Sequence, residues 1–449
     1  MRLSSSVMIA SFLPIAARGF IPKQRLIRKI PSLSKMSNHA DGTPAKRSKH
    51  TNIYLDFNGT TPVYERVLKS MLPFLTDHFG NPSSGHWAGK EPREAVDRAR
   101  RQILDLLGAH EEKDLSSIWF TSCGTESDNL AIHLALQSAK AATARHEIPH
   151  IVTCNVEHPA VELYLKRMEE EKLCRVTYVP VHTDGRVRAE DVIGSIDEST
   201  VLVTLMLANN ESGALQPVKE VAEYCRKKSI LCHTDAAQAA GKVSVKLDDI
   251  GGADMVTLVG HKLGAPKGVA CLYVRPGCLP DSVCGKGGIM LIGGGQEAGR
   301  RGGTENVPYI VGLGEAATIA SKELETNAAK MEDLRSRLLR NLENGLSKEI
   351  IRVNGPTDPS LRLPNTLSVG LKGTHSGSLL AVVQDRVAAS AGASCHSNAE
   401  ISSVLRAMKV PEEFARGTLR LSVGPITTAE EVDIAADIIV GAAKQQLGA

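Results

Sequence analysis

Three residues of different chemistry close apolar runs in this chain. Lys262 ends Met255-Val256-Thr257-Leu258-Val259-Gly260-His261-Lys262, and Asp235 ends Ile230-Leu231-Cys232-His233-Thr234-Asp235. His158 follows Ile151-Val152-Thr153-Cys154-Asn155-Val156-Glu157. Such runs read as buried strands, and ligands of open α/β sheets bind at the carboxyl ends of strands. An amine, a carboxylate and an imidazole on one rim suit pyridoxal phosphate. The amine would take its aldehyde, the acid its pyridine nitrogen, and the imidazole would stack on its ring. Each alone is an ordinary solvated strand end; the combination is what points to a cofactor.

The elements around them predict an α/β fold with a mainly parallel sheet. Strands and helices alternate from Ser117 to about Val274, the pattern of βαβ units. Before this stretch, Thr51–Pro62 reads as extended with a polar turn at Asp56–Thr60, and Glu91–Leu107 reads as a helix. After it come a glycine-rich stretch, Gly285–Gly303, and one long helical region from Ile310 to about Leu346. Strands are expected near Asn365–Leu371 and Thr418–Val423, and a last helix at the capping pair Thr428 and Glu431. A phosphate would have its own seat. Ile118–Thr121 reads as a strand, Ser122-Cys123-Gly124-Thr125-Glu126 as a tight turn, and Thr125 with Asp128 as a capping box opening a helix. A helix N-terminus offers free N–H donors and a favourable dipole to such a dianion.

Composition sets the class. The chain has 449 residues, 42% hydrophobic and only 4% aromatic, enough for two domains with aliphatic cores. Its net charge of +3 resides in the leader: the first forty residues hold seven Lys or Arg and no acid. No nucleic-acid footprint is left once they are set aside, and Val7–Ala17, interrupted by Pro14, is too short to span a membrane. Met1 to about Ser37 therefore reads as a mitochondrial or plastid transit peptide, with a secretory signal as the alternative. A start at Met36 would give a cytosolic form, and His39–His50 reads as a disordered arm. The nine cysteines show no paired C-x-x-C, which argues against a disulfide framework or a zinc site. Cys395 differs from the others. It lies in Ala391-Gly392-Ala393-Ser394-Cys395-His396-Ser397-Asn398, a composition of mobile loops and not of cores.

Eight segments carry a family resemblance. Tyr54-Leu55-Asp56, Gly80-Asn81-Pro82-Ser83-Ser84, Gly124-Thr125-Glu126-Ser127, Glu157-His158, Asn209-Asn210-Glu211, Asp235-Ala236-Ala237-Gln238, Gly260-His261-Lys262 and Ser394-Cys395 resemble the cysteine desulfurase and selenocysteine lyase family. They follow that family's order from Asn52 to Ala449, and several are most similar to the selenocysteine lyase branch. The resemblance implies a fold-type I pyridoxal phosphate enzyme: a homodimer with active sites at the subunit interface. It implies a small domain from residues 51–66 and 313–449 around a large cofactor-binding domain of 67–312, behind a leader and arm of 1–50.

The implied activity is release of selenium from L-selenocysteine, leaving L-alanine. The alternative is a cysteine desulfurase supplying sulfur for iron–sulfur cluster or thio-cofactor assembly, and either would hand its product to an acceptor protein. By the same resemblance Lys262 is the Schiff-base lysine, Asp235 the partner of the pyridine nitrogen and His158 the stacking ring. Asn210 and Gln238 match contacts to the ring oxygen. Gly124, Thr125 and His261 match the phosphate site, with Thr304 donated by the other subunit. Arg420 matches the clamp on the substrate carboxylate, and Cys395 the nucleophile that takes up the chalcogen. Two positions depart from the pattern. Val259 stands where desulfurases commonly place a serine, and Pro159, after His158, supplies neither charge by which the branches differ.

Overall fold

A computed structural model of the chain describes residues 52–109, 115–142, 148–391 and 401–448. The leader and Cys395 lie outside the described residues.

The centre is a seven-stranded sheet in the order β2-β8-β7-β6-β5-β3-β4. Its strands are β2 (Ile118–Thr121), β3 (His150–Cys154), β4 (Arg175–Val179), β5 (Thr200–Thr204), β6 (Leu231–Asp235), β7 (Met255–Val259) and β8 (Ala270–Val274). Neighbours from β4 to β7 run parallel, while β8 is antiparallel to both β7 and β2. Parallel strands covered on both faces need apolar residues on both, and this sheet has them. Ile151, Leu202, Met255 and Leu272 enter one core, and their neighbours Val152, Val203, Val256 and Cys271 enter the other.

The first core is closed by helices α3 (Gly124–Ala142) and α4 (Pro159–Glu170). The second contains buried residues of α1 (Glu65–Thr76), α2 (Lys90–Leu106) and the helix Val307–Lys322.

A third core belongs to a smaller layer. There β9 (Ile351–Asn354), β10 (Thr366–Leu371), β12 (Ser390–Ala391) and β13 (Thr418–Ser422) form an antiparallel sheet ordered β12-β13-β10-β9. Beside it β1 (Ile53–Tyr54) pairs in parallel with β11 (Val387–Ala388). Ile53 and Leu55 therefore pack with Leu338, Val369, Leu421 and Ile439 from the far end of the chain.

One expectation is borne out and refined, and two need correction. The long helical region is two helices, Val307–Lys322 and Leu324–Gly345, separated at Glu323 with φ −111° and ψ 10°. The first of them belongs to the large core, so packing changes hands at Glu323 and not at 312/313. Thr125 and Asp128 form no capping box either, because α3 already begins at Gly124 and Thr125 lies inside its first turn. The box at Thr428 and Glu431 is formed, each side chain bonding the other's backbone N–H. Among the described residues no helix is long and apolar enough to cross a membrane.

Candidate active site

Because β3, β5, β6 and β7 are parallel, whatever follows them leaves the sheet at one edge. β3 delivers His158, β5 leads to Asn210, β6 ends in Asp235, and β7 turns through Gly260-His261-Lys262. From the small layer, the middle of β13 delivers Arg420, opposite Ser368 of β10 and Ser390 of β12.

The meeting point is Asn58, in the turn after β1 and only 1% exposed. Its carbonyl accepts from Lys262 Nζ and from Gln238 Nε2 at 2.9 Å. Lys262 also donates to the Gly59 carbonyl at 2.8 Å. The Asn58 side chain donates to Thr366 Oγ1 at 2.8 Å and to the Asn210 carbonyl at 3.2 Å, and accepts from Asn365 at 3.0 Å. Arg420 donates through Nη2 to Asp56 Oδ1 at 2.8 Å and through Nη1 to the Asn210 carbonyl at 3.4 Å. Its buried Nε has no partner among the described residues.

Burial sets the charge states. It pushes Lys262 down to about 8, helped by the Arg420 charge and opposed by Asp56 and Asp235. A lysine so depressed has a substantial fraction of free amine near neutral pH, as attack on an aldehyde requires. Burial raises Asp235, whose Oδ1 accepts the Ala237 N–H at 2.8 Å. A pyridinium nitrogen beside it would hold it ionised. His158 caps α4, accepting the Ala160 N–H on Nδ1 at 3.1 Å, and burial lowers its pKa. It is a neutral ring, fixed by a cap and suited to stacking. His261, driven down to about 4 mainly by burial, is also neutral, with Nδ1 against Thr60 Oγ1 at 3.1 Å.

The residues fit pyridoxal phosphate by donor set and by shape. Lys262 would take the aldehyde, Asp235 the ring nitrogen, Asn210 and Gln238 the ring oxygen, and the exposed first turn of α3 the phosphate. At Gly124 a methyl group would meet Val259 Cγ2 at 2.7 Å, so the turn closes directly over β7 and only glycine fits. Val259 thus fills space at the position where the family commonly has serine. Thr125 is exposed at this terminus; Thr304, exposed too, takes no part in the network around Lys262.

Sequence reasoning missed Asn58 and Lys242. Asn58 acts largely through its backbone carbonyl, which no residue type betrays. Lys242, 5% exposed, lies where Ala239-Ala240-Gly241 suggested plain core.

A family model, aminotransferase class-V, matches residues 53–434. A cysteine desulfurase of Nostoc sp. is 42% identical over 385 residues, 85% of this chain and 90% of the relative. A selenocysteine lyase of Homo sapiens is 36% identical over 429 residues, 89% of this chain and 93% of the relative. A solved NifS-like protein is 35% identical with a TM-score of 0.76, covering 87% of this chain and 98% of that one.

Two outcomes test this site. Gly124→Ala should weaken cofactor binding and cost about 1–3 kcal/mol of stability through overpacking, and adding Val259→Ala should recover most of both. Equilibrium dialysis and urea unfolding check it; no recovery in the double variant refutes the Gly124–Val259 contact. Apoprotein should also take up pyridoxal phosphate faster as pH rises through about 8, where Lys262 loses its proton. Stopped-flow absorbance checks this, and a flat rate between about pH 6 and 10 contradicts it.

Proposed function

We propose that this chain, which belongs to the class-V aminotransferase family of pyridoxal phosphate enzymes, is a cysteine desulfurase. Its chemistry is of the cysteine and selenocysteine desulfurase type; the preference for sulfur is our reading. The observation that carries it is Lys262 and Asp235 on one sheet edge with Arg420 beside them. The cysteine desulfurase of Nostoc sp., at 42% identity, supports sulfur as the element removed.

When bound, the cofactor supplies an electron sink for a substrate carbanion. Asp235 keeps a proton on the ring nitrogen and so maintains that sink. Lys262, released by the substrate amine, takes the proton from the substrate α-carbon. Arg420 orients the substrate carboxylate with its planar fork. The Cys395 thiolate attacks the substrate sulfur, the carbon–sulfur bond breaks, and the sulfur stays on Cys395 as a persulfide. The substrate carbon skeleton leaves as alanine. Thr304 is proposed to complete the phosphate site of a partner copy, and a protein acceptor to collect the sulfur. The basic leader is proposed to direct import into the mitochondrion, with a start at Met36 giving a cytosolic form.

Selenocysteine is the second reading. The human selenocysteine lyase at 36% identity over 429 residues supports it, as does Val259 in place of serine.

Alanine release from L-cysteine and L-selenocysteine by one preparation, with and without Cys395→Ala, separates the two. The desulfurase reading expects turnover of cysteine that Cys395→Ala abolishes, because a thiolate is a poor leaving group without an acceptor. Turnover confined to selenocysteine and largely kept by Cys395→Ala would replace it with the lyase reading.

A further inference from the structure

Lys242 is a buried cation with no role in the scheme above. It lies one turn beyond Gln238, and its Nζ donates to the Gln238 carbonyl at 3.0 Å and to Gln238 Oε1 at 3.0 Å. A lysine ammonium has three donors and no acceptor. Only the oxygen end of the glutamine amide can therefore face it, and the NH₂ end must point the opposite way. The NH₂ end does so, donating to the Asn58 carbonyl at 2.9 Å, the same oxygen that accepts from Lys262.

We propose that Lys242 is a positioning residue: it locks the Gln238 amide so that N–H, never C=O, faces the ring oxygen of the bound cofactor, and it lends that bond its positive charge. This rests on the cofactor reading of Lys262 and Gln238 and is independent of which chalcogen is removed. A free amide can turn over at little cost and would then set one oxygen against another. With Lys242 behind it, the flipped amide would put NH₂ against ammonium.

The surroundings agree. Among the described residues the only side-chain hydrogen bonds of Lys242 run to Gln238. Lys262 and Arg420 both stand close enough to act on Lys242 electrostatically. The carboxylates of this site lie with other partners: Asp56 pairs with Arg420, and Asp235 takes the Ala237 N–H. The imidazoles of the rim, His158 and His261, are both neutral by burial. Burial first, and then Lys262 and Arg420, push Lys242 down to about 7. An excess of cations in a low-dielectric site is a preformed seat for an anion, here the ionised ring oxygen.

The test uses the holoenzyme and the visible absorption of the bound cofactor titrated with pH. A donor withdrawn from the ring oxygen leaves more negative charge on it, which favours the protonated form of the adjacent nitrogen. Lys242→Met, close in volume, should raise the midpoint of the visible band by about one to two units, the size of a charge-assisted hydrogen bond. Lys242→Gln keeps a donor without the charge and should give a smaller rise; it also serves if the methionine variant does not fold. Gln238→Leu should raise the midpoint as well, and the double variant Lys242→Met/Gln238→Leu should rise no further than Gln238→Leu alone. Unchanged midpoints in both Lys242 variants, with only the melting temperature lowered, would reduce Lys242 to packing and overturn the proposal. Full additivity in the double variant would also overturn it, because Lys242 would then act without Gln238. A wild-type protein with no visible band at all would instead strike the cofactor reading on which the proposal stands.

Discussion

One carbonyl oxygen holds the site together. Asn58 C=O receives Lys262 from the end of β7 and Gln238 from the turn after β6, while its own side chain reaches Thr366, Asn365 and the Asn210 carbonyl. The turn carrying it follows β1, whose residues Ile53 and Leu55 belong to the small core. The two layers thus meet in a residue that is 1% exposed and fully hydrogen-bonded. A buried backbone acceptor left unpaired is costly, so this register is strongly specified. Lys262 owes its position to it, while its low proton affinity comes from burial and from Arg420.

The second constraint is charge. Lys262, Lys242 and Arg420 act on the same space: Arg420 lowers the proton affinity of both lysines, and Lys262 lowers that of Lys242. Asp56 and Asp235 oppose the effect on Lys262, and Glu211 faces Arg420. A plain core would not gather three such groups around one bonded carboxylate, because each desolvated charge costs on the order of several kcal/mol. A site built for a phosphorylated aromatic cofactor and an amino-acid carboxylate does. The neutral rings of His158 and His261 belong to the same economy, adding contacts without adding charge.

Much of this was legible in the sequence. The apolar runs before His158, Asp235 and Lys262 marked buried parallel strands, and parallel strands place their ends on one edge. Arg420 between Leu419 and Leu421 read as one inward polar group on a small-layer strand, and it is 12% exposed there. What stayed hidden has physical causes. Asn58 works through backbone atoms that every residue shares. Lys242 follows a stretch of alanine and glycine, and its bonds to Gln238 exist only in the folded turn. The break at Glu323 falls inside a continuous helical pattern and is fixed by the change from one core to another. Thr125 and Asp128 had the spacing of a capping box, but Gly124 closes over Val259 and starts α3 earlier.

Lys262 is proposed as the residue that binds the cofactor aldehyde. Lys242 is the natural competitor, being buried, close by and still lower in proton affinity. Borohydride reduction of the holoenzyme followed by peptide mass mapping decides between them. The expected result is a single phosphopyridoxyl adduct on Lys262, and none after Lys262→Ala. An adduct on Lys242, or an equal yield in Lys262→Ala, would contradict it.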